Sequence, residues 1–272
     1  MDQSSKEVWT SGAVYESYVG RWSRPVAREF LVWLAVPAGA SWLDVGCGTG
    51  ALSRTILETT QPSRVEGIDP SPGYIVYARG QLEDDRVGFR TANAMDLPFT
   101  DASFDGVVSG LVLNFIPQPE VALSEMTRVA KPGGRVAAYV WDYAGKMQLM
   151  RRFWDAAVEL NPAAAELDEG RRFPLCQPGP LRALFSGAGL REVEVRAIDI
   201  PTPFRDFDDY WTPFLGGQGP APGYAVSLSE TSRAELRERI RARLPVAPDG
   251  SIALIARAWA VQGLKPRTKA WG

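Results

Sequence analysis

From residue 22 onward the chain alternates short apolar runs with amphipathic stretches, and this alternation predicts parallel βαβ units. Val26, Phe30, Trp33 and Leu34 recur at helical spacing in "WSRPVAREFLVWLA", which predicts a helix over 22–35 with one face against a sheet. "SWLDV" then reads as a first strand, and "ALSRTILETT" as the helix opened by the glycines between them. "RVEGIDPS" is a second strand ending at Asp69, after which Pro70, Ser71 and Pro72 start a helix, since proline is tolerated in a first turn. Val87, Phe89 and Thr91 alternate in a third strand, "FDGVVSGLVL" is a buried fourth, and "RVAAYVWDY" a fifth. Between the last two, Ala122, Met126 and Val129 share one face of a helix stopped by "KPGG". Past residue 143, helical stretches around 146–160 and 178–189 lead to the strand "REVEVRAIDI", and "SIALIARAWAV" is a closing strand. The region 201–250 between them is rich in proline, glycine and aromatics. It holds one helix, whose start is placed at a capping box of Ser232 and Glu235. A long aromatic insertion of this kind is expected to cover a substrate.

Composition narrows the class. The 272 residues, 45% of them hydrophobic, suffice for one large α/β domain. Thirty basic against thirty-two acidic side chains leave a net charge of −2, so no overall field draws the chain to a polyanion and no nucleic-acid partner is expected. The longest apolar run, "FLVWLAV" at 30–36, is far too short to span a bilayer, and "MDQSSKEVWT" lacks a basic start followed by an apolar core. A cytoplasmic protein without a membrane partner is expected. Two cysteines make no disulfide framework, and without histidine no metal site is expected and the commonest general base is absent.

The stretch "LDVGCGTG" carries the chemistry. Three glycines after a strand suit a dinucleotide, a flavin, a nucleoside triphosphate or S-adenosylmethionine, or merely make a tight strand-to-helix turn. Asp69, at the end of the second strand, is placed to accept hydrogen bonds from both hydroxyls of a ribose, which dinucleotide enzymes also use. Asp44 discriminates. Beside a pyrophosphate its carboxylate would be repelled, whereas the ammonium of an amino-acid-bearing cofactor would welcome it. A P-loop is excluded because no Gly-Lys-Ser or Gly-Lys-Thr closes the turn.

"LDVGCGTG", "EGIDPS", "ANAMDLPF", "FDGVVSG" and "RVAKPGGR" follow one another at spacings that resemble the class I S-adenosylmethionine-dependent methyltransferases. The likeness is to the type 11 small-molecule subgroup similar to ubiquinone and menaquinone biosynthesis enzymes. It implies an α/β fold: a Rossmann-like seven-stranded, mostly parallel sheet with a reversed last strand and helices on both faces. It also implies an N-terminal lid and helix (1–36), a cofactor-binding core (37–142), late helices with a substrate cap (143–250) and the last strand (251–262), all in one domain. Carried onto this chain, the resemblance gives the methionine end of S-adenosyl-L-methionine to Asp44 and the backbone of Gly46, Cys47, Gly48 and Gly50. Asp69 would hold the ribose and Pro70 or Ser71 would lie near the adenine. Asn93 and Ala94 match the family's Asp-Ala pair beside the adenine amino group, asparagine keeping the acceptor without the charge. Ser109 and Gly110 would face the amino-acid end, and Asn114 sits near where many relatives carry histidine.

Methyl transfer from a sulfonium is an in-line displacement, so the enzyme has chiefly to align the acceptor and exclude water. Where a base is needed, Asp142 and Tyr143, just after the fifth strand, are the catalytic candidates; the alternative for Asp142 is a turn or helix cap. Tyr15, Tyr18, Arg21 and Trp22 form an aromatic cluster in which Tyr18 or Trp22 would lie near the sulfonium, or simply pack the first helix. Phe207, Tyr210, Trp211 and Phe214 either surround an apolar acceptor or form a satellite core. Cys47, without a paired base, reads as a small residue that fits. The arginine-rich helix "RAELRERIRARL" has an apolar stripe and interrupting acids, so a solvated face is expected. The expected partner is a small-molecule acceptor, the expected assembly a monomer or homodimer. A binder that does not transfer methyl groups, or a peptide methyltransferase, are the alternatives.

Overall fold

The computed structural model describes residues 20–217 and 219–267. The elements run α1 Arg21–Leu34, β1 Ser41–Val45, α2 Ala51–Thr59, β2 Arg64–Asp69, α3 Pro72–Gln81, β3 Val87–Thr91 and β4 Phe104–Gly110. Then come α4 Pro119–Val129, β5 Ala130–Trp141, α5 Gln148–Leu160, α6 Glu169–Arg172, α7 Pro178–Gly187 and β6 Arg191–Phe204. The chain closes with α8 Phe207–Trp211, α9 Pro220–Ser227, α10 Glu230–Arg241 and β7 Ile252–Leu264. The seven strands form one sheet of order β3-β2-β1-β4-β5-β7-β6, all parallel but β7, the reversed last strand the motifs imply. Two compact units divide the chain. Of the described residues, one holds 23–141, 175–198 and 258–267; the other holds 20–22, 142–174 and 199–257.

In the first unit, the sheet unit, β1 runs parallel between β2 and β4 with every side chain buried. Its apolar residues, with Ile68, Val107, Val108, Val136 and Ala137, give the near-continuous hydrophobic runs of a sheet covered on both faces. The chain lays β2 and β3 on one side of β1, then crosses to place β4 on the other. Open α/β sheets hold ligands outside the carboxyl ends of the strands at such a reversal, which locates a site between the ends of β1 and β4. Helix α1 presents Val26, Ala27, Phe30, Leu31 and Leu34 to the core, and Phe30 packs on Tyr139 of β5 with ring centroids 4.7 Å apart. Trp33 falls at the edge of that stripe and is only half-buried, contrary to its expected core place. "KPGG" ends α4 but belongs to the irregular opening of β5, where pairing with β4 shifts register between Phe104 and Gly106.

In the second unit, the helical unit, Phe153 of α5 stacks on Phe214 at 4.6 Å and the Tyr210 hydroxyl donates to the Leu149 carbonyl at 2.8 Å. Arg151 grips Asp168 through two 2.9 Å bonds. The last helix begins a turn earlier than the capping box suggests. Ser229 is its N-cap, accepting the Ser232 amide, because "SETS" offers an earlier hydroxyl at the same spacing. Its arginines are paired within the unit: Arg237 with Asp208, Arg239 and Arg243 with Glu159, and Arg233 with the carbonyls ending α9. No helix among the described residues is long and apolar enough to cross a membrane.

Candidate functional site

The glycine turn leaves β1 and is pinned to β2, since the amides of Gly46 and Cys47 both donate to the Ile68 carbonyl at 2.8 Å. Gly46 has a φ of 76°, and a Cβ there would lie 2.5 Å from Cγ1 of Val112, so only glycine lets the turn close against the chain leaving β4. Gly50 has a φ of 85° and is the N-cap of α2. The amides of Gly46, Cys47, Gly48 and Gly50 are all bonded within the protein, so what the turn offers a bound group is close backbone approach and the partial positive charge of the α2 N-terminus.

Asp44 lies fully buried beneath this turn. One carboxylate oxygen accepts the Ser53 hydroxyl of α2 at 2.7 Å, while Oδ1 is shielded from solvent and has no partner among the described residues. Burial pushes its pKa up to about 7, opposed by the Ser53 bonds and helped by the charge of Asp69. An orphaned buried acceptor that close to ionising near neutrality is the complement of a cation, and an ammonium supplies both the charge and the missing donor. The donor set therefore fits an amino-acid-bearing cofactor.

Asp69 ends β2. Its Oδ2 accepts the Gly48 amide at 3.1 Å and its Oδ1 the Ser71 amide at 2.9 Å, bonds that hold the glycine turn and the start of α3 on one carboxylate. Each oxygen keeps a further lone pair for a hydroxyl. Burial raises its pKa, opposed by those two amides. Cys47 packs with Ile75, Ala78 and Phe89, and burial, then the charges of Asp44 and Asp69, push its thiol well above the usual range. A thiol held protonated is no nucleophile.

The remaining candidates of the sheet unit are placed as follows. Pro70 is exposed beside Asp69. Asn93 is exposed and its Oδ1 accepts the Met95 amide at 3.0 Å; Ala94 beside it is half-buried. Ser109 is buried with an unpartnered hydroxyl, and Gly110 lies against the Tyr139 ring. Two features here escape sequence reasoning. Leu111 adopts a φ of 63°, rare for a leucine, directly after β4. Asn114 has both amide atoms shielded from solvent and unpaired; the departure from histidine at that position was its only signal.

Trp22, Asp142 and Tyr143 belong to the helical unit, and Tyr18 and Tyr15 lie outside the described residues. Trp22 meets Phe204 edge to face at 5.6 Å. The Asp142 carboxylate accepts the Lys146 amide at 2.9 Å, so it caps the turn after β5. Tyr143 is buried, its ring 5.7 Å from Phe173. Phe207, Tyr210, Trp211 and Phe214 are buried largely against one another. A cavity of about 130 Å³ in this unit is lined by other residues, among them Tyr224, Leu228 and Leu236.

Comparison with known proteins bears on the same residues. A methyltransferase-domain family model matches residues 43–138, the span from Leu43 of β1 through most of β5. The demethylmenaquinone methyltransferase of Symbiobacterium thermophilum is 38% identical over 123 residues, covering 43% of this chain and 48% of that protein. The chain thus spans about half the length of this relative. The O-methyltransferase rstn1 of Aspergillus nomiae is 37% identical over 198 residues, covering 66% of this chain and 83% of its own. The fold resembles that of the Haemonchus contortus phosphoethanolamine N-methyltransferase 2, solved with phosphomonomethylethanolamine and S-adenosylhomocysteine. There the TM-score is 0.59 at 17% identity, over 94% of this chain and 57% of that one.

Proposed function

Because this chain belongs to the class I S-adenosylmethionine-dependent methyltransferases, we propose that it methylates a small, apolar or aromatic metabolite by direct in-line transfer. The observation that carries the cofactor site is Asp44, two residues before Gly46, with one buried oxygen that has no partner among the described residues. We assign the amino-acid end of the cofactor to Asp44, Gly46, Cys47, Gly48, Gly50, Ser109 and Gly110. Asp69 takes the ribose, and Pro70, Asn93 and Ala94 take the adenine. S-adenosylmethionine supplies a sulfonium-activated methyl group and leaves as S-adenosylhomocysteine. The protein's own part is to neutralise the ammonium with Asp44, fix the ribose with Asp69 and keep the surrounding turn rigid. The names of the quinone-directed and O-methylating relatives support a small aromatic acceptor.

Calorimetric titration with S-adenosylmethionine, S-adenosylhomocysteine and NAD tests the cofactor; binding of NAD alone would sink the proposal. Asp69→Ala is expected to weaken S-adenosylhomocysteine binding by about 1–3 kcal/mol, through loss of a charged acceptor and of the two amides it holds. Unchanged affinity would place the ribose elsewhere.

For catalysis, Asp142 and Tyr143 remain the candidate bases, and the cap geometry of Asp142 selects the informative substitution. Asparagine retains a carbonyl to accept the Lys146 amide. Asp142→Asn is therefore expected to keep turnover within about threefold if alignment alone suffices, the outcome we favour. A general base would instead show a loss of about 10²-fold or more in steady-state S-adenosylhomocysteine release.

A further inference from the structure

We propose that Arg21, Trp22 and Thr202, all in the helical unit, form a subsite for the carboxylate of an aromatic acid. This deepens, and rests on, the reading of the chain as an enzyme for a small aromatic acceptor. The Arg21 guanidinium lies against two rings, 4.5 Å from the centroid of Trp22 and 4.7 Å from that of Phe204. Its Nη1 donates to Asp209 at 2.9 Å. The opposite edge, Nε and Nη2, is shielded from solvent and has no partner among the described residues. Neither has the indole nitrogen of Trp22 or the hydroxyl of Thr202.

Thr202 stands two residues before Phe204 on the buried face of β6, so strand periodicity sets its side chain on the same side as that ring. Both Trp22 and Thr202 are more than nine-tenths buried, at 8% and 1% exposure. Each of the four unpaired atoms carries a hydrogen to donate, so what the cluster lacks is an acceptor. The Nε–Nη2 edge of a guanidinium is the fork that takes a planar carboxylate in two parallel bonds.

Charge points the same way. Asp209, the one acid bonded to Arg21 among the described residues, also accepts the Arg205 amide at 3.0 Å and has the Arg205 guanidinium 3.9 Å away. Two arginines thus face the Asp209 carboxylate, while Asp206 beside it accepts the Asp209 amide at 2.8 Å and makes no bond to Arg21. Around it the walls are aromatic, with Phe204 edge-on to Trp22 and, at 5.3 Å, to Tyr210. A ligand with an acidic group on an aromatic body matches both parts. The Arg21 side chain keeps 29% of its surface open, which leaves a route to the guanidinium.

The test compares 1-naphthoate with its neutral isostere 1-naphthamide on the full chain, by calorimetry and tryptophan fluorescence. S-adenosylhomocysteine affinity is measured first. Its absence would remove the methyltransferase reading while leaving the naphthoate comparison readable. The wild type is expected to bind naphthoate at least tenfold more tightly than naphthamide. Arg21→Gln should reduce that preference to threefold or less. Thr202→Val keeps the side-chain shape and leaves the Arg21–Asp209 pair intact. It should weaken naphthoate three- to tenfold, and it is the deciding variant if Arg21→Gln fails to fold. Equal binding of the two probes by the wild type, or full naphthoate affinity in Thr202→Val, overturns the subsite. So does an equal loss of S-adenosylhomocysteine and naphthoate binding in Arg21→Gln, which would give Arg21 to the cofactor.

Discussion

Asp44→Asn is expected to raise the melting temperature of the ligand-free protein at pH 8 while weakening S-adenosylmethionine binding about thirty- to hundredfold. The two effects have one origin. The Asp44 carboxyl has a folded pKa of about 7 against 3.8 unfolded, so between those values the folded state binds more protons and its stability falls as pH rises. At up to about 1.4 kcal/mol per pH unit, the ligand-free protein has given up as much as about 4 kcal/mol at this residue by pH 8. Asparagine carries no charge to bury, although its amide donors replace the orphaned Oδ1 and cost about 1–3 kcal/mol. The net gain at pH 8 is therefore about 1–3 kcal/mol, and it vanishes or reverses near pH 5, where the wild-type carboxyl is already neutral. Binding runs the other way. An ammonium needs the carboxylate, so wild-type affinity rises with pH up to about 7 and then levels, and the variant lacks both the rise and about 2–3 kcal/mol of charged hydrogen bonding. Thermal melts from pH 5 to 9 with and without cofactor check both arms. A variant less stable at pH 8 with its affinity intact would show that Asp44 serves the fold alone.

Gly46→Ala is expected to destabilise the protein by about 2–5 kcal/mol and to weaken cofactor binding by more than about a hundredfold. A side chain at a φ of 76° costs about 1–2 kcal/mol. Placing Cβ 2.5 Å from Val112 Cγ1 adds about 1–3 kcal/mol of overpacking. The turn has little freedom to relax, because the Gly46 and Cys47 amides share the Ile68 carbonyl and Asp69 holds the Gly48 amide. Val112→Ala removes both γ carbons but keeps its Cβ, 3.0 Å from the added one, so it should restore most of the packing part in the double variant and leave the dihedral cost. Urea denaturation of the two single variants and the pair reads this out as a coupling energy of about 1–3 kcal/mol. Strict additivity would mean that the clash is relieved elsewhere.

The centre of the sheet was legible because it is buried on both faces: β1, β4 and the "RVAAYVW" part of β5 are short, largely apolar runs bounded by turn residues. The residues of the proposed cofactor cradle could be placed along the chain for a related reason. Its chemistry sits on strand ends a few residues from glycines, so Asp44 and Asp69 could be placed by counting along the chain. Less could be read where function depends on what a side chain lacks. Nothing in the sequence shows that Asp44 Oδ1, Asn114 or the far edge of Arg21 is without a partner, since pairing is a property of the packed interior. Helix starts were blurred as well. "SETSRAE" offers two hydroxyls at capping distance, and the earlier one takes the role. The left-handed Leu111 had no sequence signal at all, because the residue type argues against it.

The place of β7 bears on how the molecule is made. It lies between β5 and β6 in the sheet, yet β6 ends at Phe204 and β7 starts only at Ile252. At about 5–20 residues per second, synthesis leaves β5 and β6 without their shared neighbour for several seconds, each showing a bare row of amides and carbonyls. The charged residues of β6, Arg191, Glu192, Glu194 and Arg196, are exposed and of the kind that disfavours edge-to-edge pairing of a strand still waiting for its neighbour.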